Sequence, residues 1–296
     1  MTEARAELFR SLGALTESPT PAHAGIAEAL GLPDCAAREE HTEVFAFQLY
    51  PYASVYLGEK GMLGGEARDR IAGFFRAIGI VPPAEPDHIA VLLALYASLI
   101  EAEEAQGDVV SREMLRRTRK ALLWEHLLSW LPPYLDKMME IAPPAYRGWA
   151  ELLGLALSDE AQALGRPDGL PLQLRETVAR DPADGKSFIE WLLSPVNSGV
   201  IIVRSDLRKV ASDLKLGLRV GERRWVIESL LGQDPQATLS WLASFCRHWS
   251  ESHRRWVPVT GDVGRFWLER AEGAQRLVLR ALAETEEVVA QPTVGV

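Results

Sequence analysis

The sequence predicts an all-α protein built as a helical bundle, and three observations lead to this fold class. Apolar residues recur at the i, i+3, i+4 and i+7 spacing of helix faces along most of the 296 residues. Alternating apolar and polar runs, which would indicate strands, are nearly absent. Prolines and glycines fall between the apolar stripes, where they end one helix and precede the next.

Six helices are predicted over residues 1–165. The third begins near Pro86, because a proline in the first turn lacks only an N–H that has no intrahelical partner. Ser111 is predicted to cap the fourth helix, which runs to about Trp130 and is stopped by Pro132-Pro133. The first helix is marked by the apolar stripe Leu8, Phe9 and Leu12, and the second by Ile71, Phe74, Phe75 and Ile78. The fifth is a short helix that ends at Ile141, and the sixth covers residues 146–164.

A break at residues 165–172, with two prolines and two glycines, predicts a linker between a helical domain at 1–165 and a helical C-terminal region at 166–296. Beyond it, residues 194–199 predict a turn and residues 200–203 a short extended piece. Asp234 followed by Pro235 is typical of a helix start. The helices predicted in this region are 173–180, 186–193, Ser205 to Gly217, 235 to about Trp256, and 263–289.

Charge is distributed unevenly between these two regions. The chain carries 32 basic and 41 acidic side chains, a net charge of −9. Residues 1–165 hold 14 basic and 24 acidic side chains, a net of −10, and residues 166–296 hold 18 and 17, a net of +1. This balance argues against a non-specific grip on nucleic acid, which needs an excess of cations, and leaves basic peptides as candidate partners.

The cysteines and the apolar runs bear on the compartment. Cys35 and Cys246 form no CxxC pair and no disulfide framework, so we predict a reducing environment and two buried small hydrophobic side chains. No basic and then apolar secretory segment is visible at the start, and the longest apolar run, residues 89–100, is too short for a bilayer span. The expectation is a cytoplasmic protein that does not insert into a membrane.

The motifs of several catalytic and metal-binding classes are missing. The sequence has no GxGxxG, GxxxxGK[ST], GxSxG or HExxH, and its six histidines are scattered. His248 and His253 are five residues apart, which does not stack them on one helix face. We therefore predict no metal site, no catalytic residues and no enzymatic activity.

Two clusters suggest a binding function instead. Tyr50, Tyr52 and Tyr56 lie in a stretch with weak helical spacing, and tyrosine offers a large contact area with a polar end. Residues 85–88 place two acids and a histidine at the start of a strongly apolar helix. A loop packed on the bundle explains the first cluster and simple helix capping explains the second. Together they also provide the aromatic walls and acids that a groove for a basic and apolar peptide needs.

Three segments in this order resemble the TorD/DmsD/NarJ family of cytoplasmic chaperones for molybdenum-containing redox enzymes. They are PYASVY at 51–56, EPDHIAVLLALYASL at 85–99 and WEHLLSWLPPYLDKM at 124–138, and the resemblance covers roughly residues 5–165. It implies an all-helical fold of TorD-like type without catalytic activity. It also implies that the protein holds the apo catalytic subunit of a molybdoenzyme, often through a twin-arginine signal peptide, until the cofactor is inserted.

The same resemblance implies which residues bind the client. Carried over by position, they are Tyr52, Ser54, Tyr56, Glu85, Pro86, Asp87, His88, His126, Trp130 and Pro132. Glu85 and Asp87 would pair with arginines, and a charge on His88 near neutral pH would tune the pair. No cofactor would be held permanently, the molybdenum cofactor of the client would be contacted at most transiently, and both a monomer and a homodimer are open.

Departures from the family leave alternatives open. Many members carry an acid and a Phe-Met pair after the histidine, where this chain has Leu92, Leu95 and Tyr96. A helical adaptor that binds a folded oxidoreductase subunit without signal-peptide recognition is the alternative function, and an enzyme would need a cofactor pocket among the tryptophans. The Arg-rich stretch of the C-terminal region forms either solvated helix faces or a surface that docks on acidic groups of the first half or of the client; it comprises Arg204, Arg208, Lys209, Arg219, Arg223 and Arg224.

Overall fold

The structure, a computed structural model, describes residues 2–32, 37–177, 182 and 185–290 of the chain. Sixteen α-helices, two π-helical segments and no β-strand are found in these residues, which confirms the all-α prediction. Cys246 is buried as predicted, whereas Cys35 lies outside the described residues.

The first half of the chain contains nine of these α-helices and both π-helical segments. The helices are α1 Thr2–Ala14, α2 Pro21–Ala29, α3 Arg38–His41, α4 Ala53–Leu57, α5 Gly65–Ala77, α6 Ile89–Ala105, α7 Val109–Ala121, α8 Leu131–Ile141 and α9 Pro144–Leu164. The π-helical segments are Thr42–Gln48 and Leu122–Leu127.

Helix α6 is the central helix of this half, because its side chains are apolar on most faces and nine of them are buried. Helix α1 packs closely along it at Gly13, where a Cβ would lie only 3.2 Å from the carbonyl oxygen of Ala90. Helix α9 is joined to α1 by Trp149, which donates its indole N–H to the carbonyl of Leu12 over 2.8 Å. Each buried Leu, Ile or Phe side chain contributes about 1.5–3 kcal/mol, so this packing accounts for a large part of the stability of the half.

A buried polar cluster joins α6, α7 and α9. Arg119 pairs with the Glu160 carboxylate and, over 2.8 Å, with Glu103, and the Tyr96 hydroxyl donates to Glu160 over 2.5 Å. Burial raises the pKa of Tyr96 well above its usual value, so the phenol stays protonated and able to donate. Arg5 of α1 also reaches the Glu160 carboxylate over 3.4 Å, so the cluster holds these helices together.

The C-terminal region continues the all-helical pattern with seven helices among its described residues. They are α10 Leu172–Glu176, α11 Gly185–Leu192, α12 Pro195–Ser198, α13 Arg204–Asp213, α14 Arg223–Gln233, α15 Pro235–Thr260 and α16 Asp262–Ala290. The predicted helix 173–180 is seen as α10, and residues 178–180 lie outside the described part of the chain. The start predicted at Asp234 is confirmed, since its carboxylate accepts the N–H of Ala237 over 2.9 Å.

The two halves share one hydrophobic cluster. Helix α15 packs against α8 and α9. Trp267 of α16 donates its indole N–H to the carbonyl of Ser129 over 3.0 Å, and Lys137 of α8, 0% exposed, pairs with Asp206 of α13 over 2.6 Å. The division at residue 165 stays a prediction, and the C-terminal region packs as part of the core that the first half begins.

Several predicted helix boundaries were wrong. Asp108, not Ser111, caps α7, and its carboxylate accepts the N–H of Ser111 over 2.7 Å. Pro132-Pro133 do not stop a helix but lie in the first turn of α8, where proline costs no hydrogen bond. The helix expected from Pro86 begins at Ile89.

Three boundaries in the C-terminal region also differ. Residues 194–199, predicted as a turn, contain the one-turn helix α12, which ends at Ser198 and is followed by Gly199 in the left-handed conformation. Helix α13 begins without a Ser205 cap and ends at Asp213 rather than Gly217. Residues 200–203 are non-helical and buried, although they pair with no strand in the described structure.

Candidate functional site

The two segments that the sequence singled out lie side by side. The backbone N–H of Ile89 donates to the carbonyl of Pro51 over 2.9 Å, and that of Ala53 donates to the carbonyl of Asp87 over 3.0 Å. These bonds make an isolated antiparallel bridge between Tyr52 and His88. The tyrosine segment and the acidic segment are thus parts of one surface.

Asp87 fixes this pairing from inside. Its side chain is 2% exposed, and its carboxylate accepts the backbone N–H of Ser54 over 3.2 Å at the start of α4. His88 performs the capping that was predicted for the acids, because its Nδ1 accepts the N–H of Ala90 over 3.1 Å. Asp87 is therefore a positioning residue in this structure, and Glu85 is the acid that faces solvent.

Tyr52, Glu85 and His88 form what we name the Tyr52–Glu85–His88 patch. The Tyr52 hydroxyl donates to the Glu85 carboxylate over 2.9 Å, and the Tyr52 and His88 rings meet edge to face with centroids 4.8 Å apart. Burial, and then the bond to Glu85, raise the pKa of Tyr52 to about 12, so its hydroxyl remains a donor. Burial lowers the pKa of His88 even though Glu85 opposes this, so the ring is neutral near pH 7.

The other aromatic candidates lie beneath this patch. Tyr56 stacks on Trp130 with ring centroids 5.3 Å apart, and its hydroxyl donates to the carbonyl of Tyr50 over 2.9 Å. Trp130 donates its indole N–H to the carbonyl of His126 over 2.8 Å. Both rings are buried, as are the side chains of Ser54, Pro86, His126 and Pro132. They support the surface and do not form part of its exposed area.

His126 occupies an unusual position within this support. It lies in the π-helical segment Leu122–Leu127, a rare geometry that is often found at functional sites, and packs against the ring of Phe74 with centroids 4.8 Å apart. Burial lowers its pKa to about 4. Its Nδ1 has no hydrogen-bond partner among the described residues.

A cleft of about 370 Å³ begins at Leu57, the last residue of α4, and continues along the loop that follows this helix. The Ser54 hydroxyl accepts the backbone N–H of Gly64 over 3.0 Å and so anchors that loop to the segment that Asp87 holds. The cleft is lined by residues 57–60, residues 62–67 and Arg70, and by Gln173, Glu176 and Thr177 of the C-terminal region.

Comparison with known proteins addresses the first half. Residues 20–136, which contain all ten predicted client-binding residues, match the family described as nitrate reductase delta subunit. Residues 20–136, which we name the TorD/NarJ region, thus resemble the TorD/NarJ family. The chain is 33% identical over 88 residues to the chaperone protein TorD of Photobacterium profundum, which is 28% of this chain and 41% of that protein. It is also 33% identical over 95 residues to a chaperone protein TorD of Vibrio vulnificus, which is 30% of this chain and 44% of that protein.

The chain thus spans less than half the length of the TorD chaperones it matches. The predicted family resemblance is confirmed for the TorD/NarJ region. The matched relatives are named as chaperones, which agrees with the prediction that the chain is not an enzyme. The role of each predicted site residue stays a prediction.

Two residues of the C-terminal region reach the TorD/NarJ region and were not predicted as site residues. Gln173 donates its amide N–H to the carbonyl of Glu125 over 2.6 Å and lines the cleft. Arg223 donates to the carbonyl of Ile202 over 2.6 Å, and its charge lowers the pKa of Tyr56, which burial otherwise raises strongly. Nothing in the local sequence could reveal these contacts, because they join positions far apart in the chain.

Other residues of the Arg-rich stretch fit either of two predictions, a solvated helix face or a surface that docks on acidic groups of the first half. Arg224 pairs within its own region, with Glu190 over 2.8 Å and Glu228 over 3.0 Å. Arg208 approaches Glu43 of the acidic first half to 3.9 Å. Arg219 lies over the ring of Trp225 at 5.7 Å. Docking on an acidic part of a client stays a prediction.

Metal and membrane features can be stated for the described residues only. They contain no group of three or more His, Cys, Asp or Glu side chains that could hold a metal ion. None of their helices combines the length and the apolar character that crossing a membrane requires. The absence of a permanent cofactor stays a prediction.

Proposed function

We propose that this protein is a cytoplasmic maturation chaperone for a molybdenum-containing redox enzyme. It binds the apo catalytic subunit, through an arginine-bearing leader, until the cofactor has been inserted. The family match over residues 20–136 supports this proposal, because it includes the whole Tyr52–Glu85–His88 patch. The mechanism is binding, without bond cleavage by this chain.

The observation that carries the proposal is the state of Glu85. Its carboxylate is exposed and is bonded to a tyrosine hydroxyl, and no cation of the described chain lies within ion-pair distance of it. A carboxylate that is pre-positioned by a neutral donor retains its charge for an incoming arginine, whose planar fork matches carboxylate geometry. Asp87 supports this arrangement by fixing the backbone beneath it.

Glu85→Gln tests this proposal directly. The probe is a labelled synthetic peptide with two consecutive arginines followed by leucines and alanines, and its binding to the full chain is measured by fluorescence anisotropy. We expect affinity to fall about 2- to 5-fold at low salt, the range of an exposed ion pair, and the difference to shrink as salt rises. Glu284→Gln, which changes an exposed acid on α16, is the matched control and keeps wild-type affinity.

The result that contradicts electrostatic recognition is equal affinity of wild type and Glu85→Gln at every salt concentration. A second measurement separates the adaptor alternative, in which a folded subunit is bound without its leader. Client subunit is captured with and without its leader by the immobilised full chain. Undiminished capture of the leaderless subunit would overturn the leader-binding part of the proposal and favour the adaptor.

A further inference from the structure

Two arginines of the C-terminal region have no acidic partner in the described structure. Arg204 is the first residue of α13, and Arg223 is the first residue of α14. No carboxylate of the described residues lies within ion-pair distance of either guanidinium, although the chain carries 41 acidic and only 32 basic side chains. The nearby Arg208 and Arg224 do have carboxylates, at 3.9 Å and 2.8 Å. The lack of a partner is therefore specific to these two arginines.

Arg223 is the more unusual of the two, because its side chain is partly buried. One guanidinium nitrogen donates to the carbonyl of Ile202 over 2.6 Å. The other nitrogens have no acceptor among the described residues and are accessible to solvent. Burial lowers the pKa of Arg223, which Tyr56 and Tyr50 oppose, and the charge of Arg204 lowers it further. A partly buried cation that faces a second cation is stabilised by a bound anion.

The hydroxyl of Tyr50 adds a neutral donor beside these charges. Tyr50 is partly buried and lies within reach of the Arg223 charge, and its hydroxyl has no hydrogen-bond partner in the described part of the chain. The amide oxygen of Gln48 accepts the backbone N–H of Ser205 over 3.1 Å, which holds the segment before Tyr50 against the start of α13. The two halves of the chain thus build one site from Tyr50, Arg204 and Arg223, which we name the Tyr50–Arg204–Arg223 site.

The donors that remain free indicate a carboxylate ligand rather than a phosphate. A phosphate at a helix N-terminus is bound by backbone N–H groups. At α13 the N–H of Val203 already donates to Asp206 over 2.8 Å, and that of Ser205 donates to Gln48. The guanidinium groups are left, and their planar forks pair with carboxylates through two parallel hydrogen bonds. Phe47, which is 47% exposed and precedes Gln48, adds the aromatic contact that is common with arginine in protein interfaces.

We infer that the Tyr50–Arg204–Arg223 site binds a glutamate or aspartate side chain from an acidic, partly apolar segment of a partner polypeptide. Arg223 and Tyr50 donate to the carboxylate, and Arg204 contributes its charge at the exposed rim. The inference goes beyond the proposed function, because it concerns a ligand of opposite charge and does not require that Glu85 binds arginines. The site adjoins the Tyr52–Glu85–His88 patch, since Tyr50 and Tyr52 are two residues apart and their Cα atoms are separated by at most about 7 Å.

Two labelled peptides test the site, one of alternating glutamates and leucines and one with glutamines in place of the glutamates. Their binding to the full chain is measured by fluorescence anisotropy, and we expect the glutamate peptide to bind more tightly. Arg204→Gln changes an exposed position, and it is expected to weaken this binding about 2- to 5-fold at low salt. Arg204→Lys keeps the charge and most of the affinity. Arg247→Gln, which changes an exposed arginine of α15, is the matched control and keeps wild-type affinity.

Tyr50→Phe and Arg223→Lys test the partly buried donors. Tyr50→Phe removes only a hydroxyl that bonds nothing in the described chain, and we expect it to weaken the glutamate peptide about 2- to 5-fold. Arg223→Lys keeps a charge but lacks the planar fork, and we expect a loss of about 5- to 10-fold. Neither variant changes the binding of the glutamine peptide. Circular dichroism and urea unfolding check that both variants fold, and Tyr50→Phe decides the matter if Arg223→Lys is unstable.

Three results would overturn the inference. The first is equal affinity of wild type for the two peptides, or undiminished binding of the glutamate peptide by all of the site variants. The second is displacement of the glutamate peptide by inorganic phosphate at concentrations where acetate has no effect, which would indicate a phosphate site. The third is a wild-type dimer in light scattering that Arg204→Gln separates, which would assign the site to the acidic half of a second copy.

The test is independent of the one for the proposed function. We expect Glu85→Gln to bind the glutamate peptide as wild type does, and Arg204→Gln to bind the arginine peptide as wild type does. Loss of arginine-peptide recognition with the glutamate peptide still bound leaves this inference standing. The reverse result overturns this inference and leaves the proposed function standing.

Discussion

His126 and His253 show how burial sets the chemistry of single residues in this protein. Burial lowers the pKa of each to about 4, so both rings are neutral in the folded state near pH 7. In place of water, the Nε2 of His253 contacts the carbonyl oxygen of Gly199 at 2.7 Å. His88 follows the same rule, because burial lowers its pKa although Glu85 and Asp87 favour the charged ring. The predicted charge on His88 near neutral pH is therefore not supported by its surroundings.

A residue-scale prediction follows for stability against pH. A histidine whose pKa is about 4 when folded and 6.5 when unfolded takes up its proton only on unfolding between these values. Its neutral form stabilises the fold above pH 6.5, and this contribution is lost as pH falls toward 4. His253→Gln retains an N–H donor for Gly199 but has no group that titrates. Between pH 6.5 and pH 4 we therefore expect its free energy of unfolding to fall by about 2–3 kcal/mol less than that of wild type.

Urea unfolding of the full chain at several pH values measures this difference. His248→Gln changes an exposed histidine of the same helix and is the matched control, with the same pH dependence as wild type. Burial raises the pKa of Asp136 and Asp206, which acts in the opposite sense, but these carboxyl groups are common to both proteins and cancel in the comparison. Parallel curves for wild type and His253→Gln would refute the assignment.

At the scale of elements, helices that are distant in sequence are joined by buried polar contacts. Lys137 of α8 is fully buried and pairs with Asp206 of α13 over 2.6 Å and with Glu140 over 2.9 Å. Asp206 also accepts the backbone N–H of Val203 over 2.8 Å and so helps to begin α13. One carboxylate thus fixes both the start of its own helix and the position of that helix on α8.

The Lys137–Asp206 pair gives an element-scale prediction. Asp206→Ala leaves a buried ammonium group with a single, partly exposed carboxylate, and we expect a loss of about 3–5 kcal/mol in the free energy of unfolding. Lys137→Met combined with Asp206→Asn removes both charges and keeps an acceptor for Val203, so it is expected to lose less. Thermal and urea unfolding measure the two variants, and a double variant less stable than Asp206→Ala would contradict this account.

At the scale of the whole molecule, the C-terminal region is part of the structure on which the candidate site rests. Trp267 and Gln173 contact Ser129 and Glu125, which flank the buried support of the Tyr52–Glu85–His88 patch. The hydrophobic cluster runs without interruption through both halves. A chain cut at residue 165 would therefore expose apolar surface that α15 and α16 cover in the full protein.

We accordingly predict that the full chain unfolds in one cooperative transition and that residues 1–165 alone do not form a stable monomer. Size-exclusion chromatography, near-UV circular dichroism and unfolding in urea compare the two chains. The expected result for the shorter chain is aggregation or loss of fixed aromatic packing, since α8 loses its contacts with α13 and α15. A monomeric 1–165 chain with a sharp unfolding transition would show instead that the predicted boundary separates independent domains.

Much of the fold could be predicted from the sequence because helix patterns are local. The stripe at α5 repeats with the helical period, the bounds predicted for α9 and α16 lie within two residues of those observed, and Asp234 with Pro235 indicates a helix start. The starts of α7 and α8 were mispredicted, because a side-chain cap and first-turn prolines permit more than one local interpretation. The candidate site was located in outline, since its segments carry recognisable motifs.

By itself, the sequence determined the all-α class, the resemblance of residues 20–136 to the TorD/NarJ family and the residues from which the candidate site is built. These depend on short-range periodicity and on motifs whose letters lie close together. Only the tertiary structure decided that Glu85 is exposed, while the Asp87 carboxylate is buried and accepts the backbone N–H of Ser54. It also decided that Gln173 of the C-terminal region lines a cleft. The physical reason is that burial and hydrogen-bond partnership are set by long-range contacts, which bring together groups that no local pattern relates.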